Sequence, residues 1–79
     1  MKELFSHEFN NINFEFKRLV FKGNEVWYEI SFNDNGNKNS FRMYRDEEGA
    51  WRMAAQLLPS WIRETDVEFS EIINTNENS

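Results

Sequence analysis

Hydrophobic and polar residues alternate over much of the chain, and this pattern predicts β-strands. The clearest alternation covers residues 26–32, where every second side chain is apolar. Weaker alternation at 12–21, 41–45 and 51–57 predicts three more strands, and each is separated from the next by residues that favour turns. The sequence therefore predicts an antiparallel meander sheet of four strands within residues 12–57.

The first predicted strand changes phase partway along its length. Phe14 and Phe16 share one parity, whereas Leu19 and Phe21 share the other. A β-bulge near Lys17 would bring both pairs onto one face of the sheet. We therefore expect an irregular strand here.

Residues 50–58 fit two kinds of secondary structure. Trp51 and Met53 continue a period of two after a glycine-containing turn, which favours a strand. The Ala, Met, Gln and Leu content of the segment favours a helix instead. We predict a strand and keep the helix as the alternative.

The two ends of the chain differ in pattern from the sheet. Residues 1–11 form a lead-in, which is either a short helix or an extended arm. Pro59 suits the first position of a helix, and an apolar stripe at steps of three and four predicts an amphipathic helix over 59–73. Residues 74–79 are polar and are expected to form a flexible tail. The prediction is one α+β domain over 1–79, with the helix packed on one face of the sheet.

Composition narrows the classes of function. The chain has 79 residues, and its eight Phe, three Trp and two Tyr supply a substantial core for a small domain. It contains no Cys, which excludes disulfides and thiolate zinc sites. The net charge of −5 disfavours general binding to nucleic acid or anionic membranes. No apolar run approaches the roughly 20 residues that span a bilayer, and we expect a soluble, cytoplasmic protein.

No group of residues matches a catalytic, metal or cofactor motif. His7 is the only histidine and has no motif partner. The loop at Asp34 lacks the final glutamate of a calcium loop, because Arg45 stands at that position. The adjacent acids at 46–48 point apart in a tight turn, and the three glycines lie in separate turns. We therefore expect a protein that is not an enzyme and that holds no metal or cofactor.

The face of the sheet that the helix leaves open carries the functional hypotheses. Aromatic rings alternate there with basic side chains, and the candidate binding residues are Lys17, Trp27, Arg42, Tyr44 and Arg52. One hypothesis is a module that binds a protein partner, or a second copy as a homodimer, through this face or an edge strand. The alternative is a binder of single-stranded nucleic acid, because rings stack on bases and basic groups contact phosphates. Residues 12–45 carry a charge of about +2, which favours the alternative. Both hypotheses need an accessible Trp27, so a lead-in that packed over this ring would argue against the protein-binding and the nucleic-acid hypothesis alike.

Overall fold

The computed structural model describes residues 1–54 and 60–79 as a single antiparallel sheet with helices on one face. The sheet has five strands in the order of the sequence, and two helices follow it. The strands are β1 (Leu4–Phe9), β2 (Ile12–Phe21), β3 (Glu25–Asp34), β4 (Asn37–Arg45) and β5 (Trp51–Met53); the helices are α1 (Ser60–Arg63) and α2 (Asp66–Glu77). The predicted α+β class and meander order are confirmed, and the predicted number of four strands is one too few.

The additional strand is β1, which lies where a lead-in helix or arm was predicted. Asn10 and Asn11 both adopt positive φ, at 53° and 61°, and they form a two-residue hairpin turn between β1 and β2. Such turns need left-handed backbone at both central positions, which Asn tolerates. Phe5 then stacks on Phe16 across the hairpin, with ring centroids 4.9 Å apart. The lead-in therefore does not cover Trp27.

Strand β2 is regular, so the predicted bulge near Lys17 is wrong. Its register with β3 is continuous from Glu15 to Phe21. Leu19 and Phe21 consequently lie on the face opposite to the helices, and Arg18 lies on the helix side. The phase change in the sequence marks a change in which face is apolar, because Arg18 has an acidic partner on the helix side.

The core lies between the sheet and α2. Phe69 of α2 is fully buried, and its ring lies 5.0 Å from Phe14 and 5.4 Å from Phe41 between centroids. The other buried residues come from every strand from β2 to β5 and from both helices: Phe16, Tyr28, Ile30, Phe32, Met43, Trp51, Ile62 and Ile73. The predicted helical stripe thus supplies the helix side of the core, through Ile62, Phe69 and Ile73.

The helical segment is divided in two. The backbone N–H of Thr65 and its hydroxyl both bond the carbonyl of Ile62, at 3.1 and 2.8 Å, and this local bonding ends α1. Helix α2 then begins at Asp66. The strand prediction for 50–58 holds at Trp51–Met53, and its part that falls on residues 55–58 lies outside the described residues, as does the predicted helix start at Pro59.

The C-terminal residues predicted as a flexible tail continue α2 to Glu77 and bond the sheet. Glu77 accepts a hydrogen bond from Arg18 Nε at 2.7 Å and another from the Tyr28 hydroxyl. The side-chain amide of Asn76 donates to the same Tyr28 hydroxyl at 2.9 Å. The same amide accepts a hydrogen bond from the backbone N–H of Lys2 and donates one to the carbonyl of Lys2, each 2.9 Å long. We call Arg18, Tyr28, Asn76 and Glu77 the C-terminal clasp.

The hydrogen bonds and charges of the clasp favour an ionised Glu77 and a neutral Tyr28. Burial alone would raise the pKa of Glu77, but the hydrogen bonds from Arg18 and Tyr28 and the nearby charges of Arg18 and Arg45 hold it below its ordinary value of 4.5. Burial, and then the hydrogen bond to Glu77, raise the pKa of Tyr28 to about 12, so its hydroxyl remains a donor. The side chains of Arg18 and Glu77 are only 13% and 10% exposed, which limits screening by solvent.

Phe69→Ala tests the core assignment. We expect it to lower the free energy of unfolding by about 3–5 kcal/mol, because it removes a fully buried ring and leaves a cavity. Urea denaturation followed by tryptophan fluorescence measures the loss. Val67→Ala, at a side chain that is 61% exposed on the same helix, is the control and should change stability by less than about 0.5 kcal/mol. A loss below about 1 kcal/mol for Phe69→Ala would contradict the assignment.

Glu77→Gln tests the clasp. We expect it to lower the free energy of unfolding at neutral pH by about 1–3 kcal/mol, because Arg18 and Tyr28 lose a charged acceptor. A carboxyl whose pKa is lowered by folding stabilises the fold above its ordinary pKa, and this stabilisation is lost as the pH falls through the folded value. The difference between wild type and variant should therefore shrink below pH 4.5.

Denaturation curves across this pH range, with Glu71→Gln as an exposed control on the same helix, measure the effect. A difference between wild type and Glu77→Gln that did not change with pH would show that the Glu77 charge does not hold the clasp.

Candidate interaction surface

The open face is the side of the sheet opposite to α1 and α2. The strand registers place all five predicted binding residues on it, since Lys17 lies opposite Glu29, Glu29 opposite Arg42, Trp27 opposite Tyr44, and Tyr44 opposite Arg52. The five residues thus occupy two adjacent rows that cross the sheet. The prediction that they share one face agrees with these registers.

Apolar and aromatic side chains gather at one corner of the open face. The Trp27 ring lies 5.4 Å from Tyr44 and 6.5 Å from Phe21 between centroids. Leu19 lies beside Trp27 in the register, and Leu4 of β1 is a diagonal neighbour beyond it. We call Leu19, Phe21, Trp27 and Tyr44 the aromatic corner. Phe21 is 45% exposed, the other three residues of the corner are partly buried, and the neighbouring Leu4 is 62% exposed, so this region of the face presents apolar surface to solvent.

The sequence pattern identifies Trp27 and Tyr44 of this corner but not Leu19 and Phe21. The expected bulge would place Leu19 and Phe21 on the same face as Phe14 and Phe16, whereas regular β2 turns them to the open face. The charge of Arg18 argues against this regular course, because it would be costly on a buried face unless an acidic partner lay there. The sequence alone does not reveal that partner, because Glu77 lies 59 residues further along the chain.

Two of the three predicted basic residues on the open face are paired with carboxylates. Arg52 Nε donates to Asp46 at 2.9 Å, and Arg42 lies 3.5 Å from Glu29. The hydrogen bond from Arg52 is the main reason that the pKa of Asp46 lies below its usual value. These pairs reduce the positive potential that a phosphate backbone would meet.

The strands leave the open face without net charge. Its basic strand residues are Lys17, Lys38, Arg42 and Arg52, and its acidic ones are Glu8, Glu15, Glu25 and Glu29. Arg18 and Arg45, which contributed to the predicted +2 of residues 12–45, lie on the other side, where both approach Glu77. The positive charge expected from the sequence is therefore not concentrated at the candidate site.

The remaining acidic groups that the sequence offered as candidate metal ligands do not form a metal site in the described part of the chain. Asp46 accepts hydrogen bonds from the backbone N–H groups of Glu48 and Ala50, at 3.0 and 2.9 Å, and so closes its own turn. Within residues 1–54 and 60–79, no three His, Asp or Glu side chains are grouped to hold a metal ion. No helix in the same described part is long and apolar enough to cross a membrane.

Comparison of the chain with protein-family models, with curated proteins and with solved structures finds no significant match.

Proposed function

We propose that this protein is a small, non-enzymatic interaction module that binds a protein surface through the open face of its sheet. The observation that carries the proposal is the aromatic corner, where the exposed ring of Phe21 and the partly exposed rings of Trp27 and Tyr44 are packed against one another on the sheet. Tryptophan and tyrosine held in this way are the residues that dominate protein interfaces, because they bury large areas at a small loss of conformational entropy.

A second copy of the chain is the partner that these features favour. The open face carries four basic and four acidic strand residues, so two such faces can meet without a net repulsion. A domain of 79 residues has a small hydrophobic core that supplies limited stability, and domains of this size often gain stability by oligomerising. A homodimer that stacks two open faces would cover the aromatic corner of each copy.

The nucleic-acid alternative is less well supported. It requires basic side chains that are available to phosphates, and Arg42 and Arg52 already have carboxylate partners. A face without net charge gives little release of counterions, which is the main source of non-specific affinity for nucleic acid.

Trp27→Ala tests the proposal. We expect the wild type to show a concentration-dependent dimer in sedimentation equilibrium, and the variant to weaken it by about tenfold or more, as loss of an interface hot spot does. Lys38→Ala, at the far end of the same face, is the matched control and should change dimerisation by less than about threefold. Trp27→Ala should also keep a cooperative thermal melt.

Two results would overturn this proposal. Loss of the cooperative melt in Trp27→Ala would show that the ring belongs to the core. Salt-sensitive shifts of the Trp27 indole signal, in an NMR titration with a pool of mixed single-stranded oligonucleotides, would establish the nucleic-acid function instead. In that case Arg42→Ala and Arg52→Ala would each flatten the dependence of affinity on salt.

A further inference from the structure

A cleft lies on the helix side of the sheet, between β1 and α2. Its volume is about 540 Å³, within the range of ligand-binding clefts. Phe5, Phe9 and Ile72, all partly buried, form its apolar floor and wall. Glu68 and Glu71, one turn apart on α2, supply carboxylates at its side.

The cleft adjoins a free strand edge. Strand β1 is the first strand in the order of the sheet, and no strand in the described part of the chain pairs with its outer edge. The N–H of Arg18 bonds the carbonyl of Glu3, so the odd-numbered residues of β1 bond β2 and the even-numbered ones point their backbone groups outward. Leu4, Ser6 and Glu8 therefore present a row of N–H and C=O groups.

This edge has few of the features that usually prevent strand addition. Natural edge strands are protected by proline, charged side chains such as lysine, bulges, short length or a covering helix. Strand β1 has six residues with neither proline nor lysine, it has one acidic residue, Glu8, and its pairing with β2 is regular. The side chain of Asn76 in α2 bonds the backbone of Lys2, just before the strand begins. The opposite edge, at β5, has only three residues.

The cleft and the free edge of β1 together define the kind of ligand that would bind. A strand added to β1 would lie about 4.8 Å beyond it, and every second side chain, about 7 Å apart, would face α2. One such side chain would lie against Phe5, Phe9 and Ile72, and the next would lie near Glu68 and Glu71. Glu68 lines the cleft, and its Oε2 is buried and has no hydrogen-bond donor among the described residues. Turned toward the cleft, this carboxylate would accept a hydrogen bond from a cationic donor there.

We propose that β1 and the adjoining cleft bind an extended peptide, which joins the sheet as a further strand and places an apolar side chain and a Lys or Arg side chain, two residues apart, in the cleft. Backbone hydrogen bonds to Leu4, Ser6 and Glu8 supply affinity, and the cleft supplies selectivity for the alternating apolar and basic pattern. The site lies on the opposite face from the aromatic corner and does not depend on the function proposed for that corner.

The test uses a synthetic peptide of about seven residues, the length of a typical strand, in which Leu and Arg alternate with Thr. We expect the amide signals of Leu4, Ser6 and Glu8 in the full chain to shift on titration and to become protected from hydrogen exchange. Glu68→Gln should weaken binding by about tenfold, and a peptide with Glu in place of Arg should bind at least about tenfold more weakly. The Trp27 indole signal should not move.

Ser6→Pro is the decisive variant. It removes an N–H that points to the free edge and leaves the bonds between β1 and β2 intact, as prolines in edge strands do. We expect it to abolish peptide binding while the thermal melt stays cooperative, and to leave any dimer formed through the open face unchanged. Ser6→Ala is the control. It removes the same hydroxyl but keeps the backbone N–H, and it should bind the peptide normally.

Three results would overturn the proposal. Unchanged β1 amide signals at millimolar peptide would show that the edge does not take a strand. Equal binding of the Arg and Glu peptides would show that Glu68 and Glu71 do not select the ligand. Protection of Leu4, Ser6 and Glu8 that grows with protein concentration, without peptide, would show that the edge pairs with a second copy of this chain.

Discussion

The carboxylate of Glu77 joins the last turn of the chain to the middle of the sheet. It accepts hydrogen bonds from Arg18 on β2 and Tyr28 on β3, and Asn76 holds Tyr28 and the backbone of Lys2 from the same turn. Because Lys2 precedes β1, the clasp ties both ends of the chain to the central strands. Helix α2 is thereby fixed along one face, and Phe69 is held among the phenylalanines of β1, β2 and β4.

The clasp also determines the character of the open face. Arg18 and Arg45 are drawn to Glu77, and their charges are removed from the surface that the helices leave uncovered. With Arg18 on the helix side, regular alternation directs Leu19 and Phe21 outward beside Trp27. The carboxylate of Glu77 therefore contributes to an opposite face whose strand residues carry no net charge and whose aromatic rings lie beside one another.

The two proposed surfaces use different parts of the sheet. The aromatic corner offers side chains on a flat face, whereas the edge of β1 offers backbone groups next to a cleft. Both exist because the sheet is open: in the described part of the chain, five strands in sequential order leave one face without helices, and no further strand pairs with the outer edge of β1. A partner at the edge and a partner at the corner would not compete for the same atoms.

The local pattern of apolar and polar residues is sufficient to predict much of the fold. Alternation identified β3 and β4, turn residues separated the strands, and the apolar stripe located the helical segment that carries Phe69. The same alternation placed Lys17, Trp27, Arg42, Tyr44 and Arg52 on one face, because the period of a strand is fixed by its backbone. Strand β1 was missed, since Leu4 and Phe5 are adjacent apolar residues on opposite faces and obscure the alternation.

The class of fold, the meander order of the strands and most of the turn positions follow from the local sequence. They depend on neighbouring residues and on backbone preferences, which are present in the order of the amino acids. The course of β2, the helical state of Asn76 and Glu77, and the absence of net charge among the strand residues of the open face arise only when the chain has folded. Each of these depends on Arg18 meeting a carboxylate 59 residues away, and the energy of that contact exists only once the chain has folded.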